Sequence, residues 1–211
     1  MCRTILIGML LAALATGCGV PQQAPTRLRT ARTVEDAMTD PGAIEALILT
    51  GHALESVPEE ICQLPRLQKL ALRQTGLSRI PDFMASLETL TWLDLGDNRL
   101  ESLPPAIGKL RRLEVLYLSD NALTELPPDI GALSALRYLN LDRNRLTRLP
   151  PEIGRLQALR WLRLNENPLE SLPPEIAQLR NLQRLYLRKT NIPESERSAI
   201  AAILPGVEII W

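Results

Sequence analysis

The chain has 211 residues, enough for one domain with a sizeable core. Its 24 Lys and Arg balance its 24 Asp and Glu, so the net charge makes no case for nucleic acid or an anionic surface as partner. The three cysteines, Cys2, Cys18 and Cys62, have neither metal-ligand spacing nor the pattern of a disulfide framework.

In chain order, residues 1–17 read as a signal peptide. Arg3 precedes an apolar run over residues 5–15 that ends in small residues, too short to span a bilayer as a helix. Two cleavage readings stand. Ala15-Thr16-Gly17-Cys18 resembles the bacterial lipobox, with Ala15 where Leu is usual. That resemblance implies a diacylated Cys18 as the mature N-terminus, and two acyl chains anchor stably. The alternative, Ala13-Leu14-Ala15, is an A-x-A site that releases a soluble secreted protein. Residues 18–32, rich in Pro, Gln, Thr and Arg, lack apolar periodicity and read as a flexible tether. Gly19 after the cysteine resembles sorting to the outer rather than the inner membrane of a bacterial envelope.

The rest of the chain, 33–211, reads as one domain. Thr33 to Asp36 has the spacing of a capping box before a short helix. From Ile44 the pattern LxxLxLxxNxL recurs at Leu67, Leu90, Leu113, Leu136, Leu159 and Leu182, every step 23 residues long. Within LYLSDNALTELPPDIGAL, Leu116 and Leu118 point to one side of a short strand and Tyr117 to the other. Asn98, Asn121, Asn144 and Asn167 end the strands, where a buried amide can satisfy loop backbone. Pro-Pro at 104–105, 127–128, 150–151 and 173–174 starts a helical turn after an extended entry. Gly108, Gly131, Gly154 and Ala177 hold a slot where neighbouring repeats approach closely. Cys62 falls in that slot and is expected to be buried packing, and His52 falls in the Asn slot of the first repeat. Residues 193–204 read as an amphipathic helix and VEIIW as a final strand, so 193–211 forms a C-terminal cap.

These repeats resemble the leucine-rich repeat family, in its 23-residue LPxxIGxL subclass, and the lipobox adds the expectation of a bacterial repeat lipoprotein. The resemblance implies an α/β solenoid, a horseshoe with a concave parallel β-sheet, short helical or 3-10 turns on the convex side, and caps at both ends. It also implies that the third, fifth, seventh and eighth positions of each repeat line the concave face. Five of the seven aromatics fall there: Trp92, Tyr117, Tyr138, Trp161 and Tyr186. Charge is zoned on the same positions, with Asp94, Asp97, Asp120 and Asp142 in the middle and Arg163, Arg184 and Arg188 toward the C-terminus. Aromatics and Arg anchor interfaces, and such zoning orients a partner.

No phosphate loop, no HExxH and no second histidine accompany this pattern, so the expectation is a binding protein without cofactor or metal. The leading reading is a membrane-tethered module that binds a protein through its concave face. The alternatives are an envelope glycan or peptidoglycan binder, or a secreted adhesin or effector if Cys18 is not lipidated.

Overall fold

The computed structural model describes residues 28–211; the signal segment, Cys18 and most of the tether lie outside the described residues. Nine parallel strands follow one another in chain order through a single sheet. They are β1 Thr30–Ala31, β2 Ala46–Ile48, β3 Lys69–Ala71, β4 Trp92–Asp94, β5 Val115–Tyr117, β6 Tyr138–Asn140, β7 Trp161–Arg163, β8 Arg184–Tyr186 and β9 Glu208–Ile210. A 3-10 segment returns the chain from each repeat strand to the next, as over Pro128–Ala132 and Pro151–Arg155. Helix α1, Val34–Thr39, and helix α2, Glu194–Ile203, flank the stack.

The repeat length sets the register. Leu93, Leu116, Leu139 and Leu162 face one another on consecutive strands, a column in which every member is fully buried. Around it Leu118, Leu123, Ile130, Leu133 and Leu136 are equally enclosed. Each fully buried side chain of this kind contributes about 1.5–3 kcal/mol. The Pro-Pro pairs do what their chemistry dictates: Pro127 is extended (φ −66°, ψ 147°) and Pro128 opens the 3-10 turn, where no N–H is needed.

Backbone bonds between repeats continue past the short strands, as from the Asp120 amide to the Asp142 carbonyl at 2.9 Å, and the asparagines serve the loop groups that these bonds miss. Asn144 Oδ1 accepts from the Leu123 amide at 3.1 Å, while Nδ2 donates to Leu118 and Leu141 carbonyls at 2.9 and 3.0 Å. Asn121 and Asn167 repeat the pattern one turn before and one turn after. At the ends of the ladder Thr75 and Thr190 donate their hydroxyls to the carbonyls of Leu72 and Leu187. His52 takes no part: it is exposed, so the amide ladder does not extend into the first repeat.

Glycine in the small-residue slot is a steric requirement. A Cβ on Gly131 would stand 2.5 Å from the Glu152 carbonyl oxygen, and one on Gly154 2.4 Å from that of Glu175. Cys62 departs from the expected burial. Its side chain is exposed at the margin of the next 3-10 segment, with Ser86 Oγ donating to its sulfur at 3.3 Å. Ala177 is exposed for a different reason: among the described residues no further 3-10 segment follows it.

Both ends are closed. Thr33 Oγ1 accepts from the Asp36 amide at 3.0 Å and caps α1. Thr30–Ala31, which the sequence places in the tether, is instead the first strand, paired with Ala46 and Leu47. At the far end β9 pairs with β8, α2 buries Ile200, and the Arg197 guanidinium lies 5.0 Å from the centre of the Trp211 ring.

Replacing Asn144 with Ala should lower unfolding free energy by about 3 kcal/mol, because it strands buried carbonyls and an amide. Urea denaturation measures it, and a loss below about 1 kcal/mol would show that the ladder is dispensable.

Candidate binding surface

The side chains at the third and fifth positions form two rows across the sheet. One row runs Lys69, Trp92, Val115, Tyr138, Trp161, Arg184; the other runs Ala71, Asp94, Tyr117, Asn140, Arg163, Tyr186. Between the rows the aromatics zigzag. Trp92 and Tyr117 have ring centres 5.5 Å apart and tilted by 54°; Tyr117 and Tyr138 are 5.1 Å apart and tilted by 45°. Tilted rings at this spacing attract beyond their burial. The Lys69 ammonium caps the run, 4.1 Å from the Trp92 centroid. A second, separate pair lies toward the C-terminus, where the Arg163 guanidinium stands 4.7 Å from the Tyr186 ring. Trp161 is half-buried on β7, the strand that also carries Arg163.

Burial divides the residues that the sequence singles out. Trp92, Asp94, Tyr117, Asp120, Arg163 and Arg184 are half-buried, and Asp97 and Arg188 are exposed. Tyr138, Tyr186 and Asp142 are buried beneath their neighbours, as is Ser119. Asp142 works inside the solenoid: Oδ1 accepts from the Asn165 amide at 2.8 Å and Oδ2 from Arg163 Nε at 2.7 Å. This is one case of a general device. In three other repeats too the backbone amide at the seventh position is satisfied by a side chain: Gly96 by Asp94, Asp142 by Asn140, Arg188 by Asn165.

The charge zoning resolves into pairs between repeats. Asp120 accepts two hydrogen bonds from Arg143, with Nη2 at 2.7 Å from Oδ2, and Arg73 approaches the same carboxylate at 3.6 Å. Arg184 pairs with Glu208, and Lys189 with Glu166. Arg73 reaches Asp120 by lying over Gly96, where a Cβ would meet its guanidinium at 2.3 Å. The eighth position, which carries Asp97, Asp120, Arg143 and Glu166, is left-handed with φ of 54–60°. Non-glycine residues adopt that conformation at a cost, and here it turns the chain out of each strand.

Titration follows from these surroundings. Burial raises the Asp94 carboxyl and lowers the Lys69 ammonium, although each favours the other's charged form. Burial and the Asp94 charge raise Tyr117. Hydrogen bonding from Arg143 holds Asp120 below its ordinary value. Repeats two to four therefore carry a half-buried aromatic and carboxylate patch, while Asp120, Asp142, Arg184 and Lys189 are engaged in ion pairs. Recesses lie on the other side of the molecule, one of about 520 Å³ along the 3-10 segments at Pro105, Lys109 and Asp129. Lys69 and Arg73, which the sequence places on the sheet face without singling out, prove integral to it through contacts across repeats.

Sheet, turns and face together define a leucine-rich repeat solenoid. A leucine-rich repeat region profile matches residues 128–199 and a leucine rich repeat profile residues 88–146. The chain belongs to the leucine-rich repeat family. Among solved structures it is similar to a leucine-rich repeat protein of Leptospira interrogans, at 35% identity and TM-score 0.71, over 80% of this chain and 49% of that one. The chain thus spans about half the length of that relative. Internalin C2 of Listeria monocytogenes shares the fold at 21% identity and TM-score 0.71, over 83% of this chain and 74% of that one. The leucine-rich repeat domain of the type III effector XopL matches at 25% identity and TM-score 0.61, over 84% of this chain and 79% of that one. Comparison with curated protein sequences returned no match.

Asp120 is held below 3.8, so its contribution to stability is present above that pH and is lost as pH falls through the lower folded value. Asp120→Asn should therefore lower the melting temperature more near neutral pH than near about pH 2. Equal losses at the two pH values would contradict the ion pair's role.

Proposed function

We propose that this protein is a membrane-tethered interaction module that binds a protein partner across the sheet face of repeats two to five. The fold itself is that of a protein-interaction module, and members of the family are typically non-enzymatic. The observation that carries the particular reading is the continuous run Lys69, Trp92, Tyr117, Tyr138, bordered by the half-buried Asp94. Rigid aromatic rings in contact lose little entropy on binding, and a partly dehydrated carboxylate rewards a partner that brings a donor or cation. Asp97 and Asp120 border the same patch on the strand-exit side and give it an acidic margin. Trp161, Arg163, Arg184 and Arg188 extend the surface toward the C-terminus.

A second reading, an envelope glycan or peptidoglycan ligand, draws on the same rings, since Trp92 and Trp161 offer faces on which sugars stack. Trp92→Ala and Trp161→Ala should weaken capture of a partner protein from envelope extract by at least about tenfold, as expected for interface anchors. Retention on purified cell-wall material should not change. Loss on cell wall alone would favour the glycan, and unchanged binding in both assays would refute the sheet face as the site.

The tether rests on Cys18, at the end of an apolar run and ten residues before the first described residue. Lipidated there, the domain sits in the bacterial envelope, at the outer membrane where two membranes exist; cleaved at Ala15, it is a secreted adhesin or effector. Cys18→Ser should move the protein from the membrane to the soluble fraction on cell fractionation. An unchanged distribution would favour the cleaved, soluble form.

A further inference from the structure

The balanced net charge conceals a segregation along the solenoid. The stretches that lead into β3 to β8 (63–68, 86–91, 109–114, 132–137, 155–160 and 178–183) hold eight Lys or Arg and two Asp or Glu. The stretches before them on the convex side (57–62, 80–85, 103–108, 126–131, 149–154 and 172–177) hold six Asp or Glu and no Lys or Arg. Preference for acids at the start of a helical turn and bases at its end accounts for Asp129, Glu152, Lys109 and Arg155. It does not account for Arg111, Arg112, Arg160 and Arg180, which lie beyond the turns. All four are exposed, and none forms an ion pair with a described residue. Arg137 on this edge pairs with Glu114 at 3.6 Å, whereas on the strand-exit side Asp97, Asp120, Asp142 and Glu166 all meet cations of neighbouring repeats.

We propose that the strand-entry edge is a docking surface for anionic phospholipid headgroups, holding the domain edge-on to the bilayer. The cations spread along a line that crosses five strand spacings, roughly 24 Å, which suits a surface better than a single small ligand. A recess of about 430 Å³ between Glu88, Lys109, Arg111 and Arg112 gives a headgroup phosphate room among three cations. The six stretches contain no aromatic residue, so the edge lacks the stacking platform with which single-stranded nucleic acids are held. The choice of lipid rests on the tether proposed above. A lipid on Cys18 keeps the first described residue within about 35 Å of the bilayer even with the chain fully extended.

The test uses the unlipidated chain from residue 18 carrying Cys18→Ser, which keeps every described residue, both caps and the whole core. It should co-sediment with phosphatidylcholine vesicles that contain about one-third phosphatidylglycerol, but not with pure phosphatidylcholine, and should release as salt rises toward about 0.5 M. Combining Arg111→Gln, Arg112→Gln, Arg160→Gln and Arg180→Gln should weaken that binding at least about tenfold. Arg79→Gln, Arg99→Gln, Arg145→Gln and Arg148→Gln on the strand-exit side should leave it unchanged, with circular dichroism melts confirming that both variants fold. Absence of binding to the anionic vesicles, equal binding to both vesicle types, or equal weakening by both sets would overturn the proposal. Salt-sensitive binding to duplex DNA without binding to vesicles would overturn the choice of lipid. A native chain that stays with membranes while the unlipidated chain ignores vesicles would leave the tether standing and remove the edge.

Discussion

One side-chain amide per turn is the interaction on which the rest of this structure depends. The repeat strands are three residues long, and although backbone bonds between repeats continue a little past them, the loop beyond leaves groups such as the Leu118 carbonyl and the Leu123 amide to side chains. The asparagines close that gap by bonding at once to their own turn and to the one before, as Asn144 does with Leu141 and Leu118. A buried carbonyl without a partner costs more than a typical hydrogen bond contributes, so the spacing between turns cannot drift. One inserted residue would carry the amide out of reach and misalign every leucine column behind it. The unbroken 23-residue step and the close approach at Gly131 and Gly154 express the same constraint.

With the interior committed in this way, the surfaces are left to vary, and they differ from one another. The strand-exit side is a mixture of opposite charges paired across repeats, as in Arg143 with Asp120 and Lys189 with Glu166. The convex turns are acidic and the strand-entry edge basic. The sheet face holds aromatics packed on one another, with Lys69 and Asp94 half-buried beside them. A solenoid can sustain this division because each repeat offers one residue to each surface at a constant position. The proposed contacts with lipid and with a protein partner therefore use different side chains and do not compete for space.

Ion pairing also separates the zoned charges on physical grounds. A charge aimed at a partner should lack one of its own, yet Asp142 spends both oxygens within the solenoid. Asp120 is likewise tied to Arg143, which leaves it an acidic margin more than a recognition group. Trp92, Tyr117 and Asp94 remain half-buried members of the sheet face, the two rings in contact, Lys69 over Trp92, and Asp94 acting on Lys69 and Tyr117 through its charge.

By itself the sequence determined, from local capping signals, the Thr33 cap and the closing helix and strand, and beyond these whatever repeats: the register, the leucine columns, the asparagine ladder and the Pro-initiated turns. Each is a pattern written locally, and repetition every 23 residues makes the latter set readable. The tertiary structure decided what depends on a neighbour a full turn away or on position in the stack. Thr30–Ala31 becomes a strand only because β2 offers an open edge. Cys62 and His52 take interior slots in the pattern yet face solvent in the first repeat, where the stack has not reached its regular packing. Tyr138, Tyr186 and Asp142 alternate outward as the strand period requires, but neighbouring side chains cover them. A linear pattern states the direction of a side chain; only the assembled turns settle what lies on top of it.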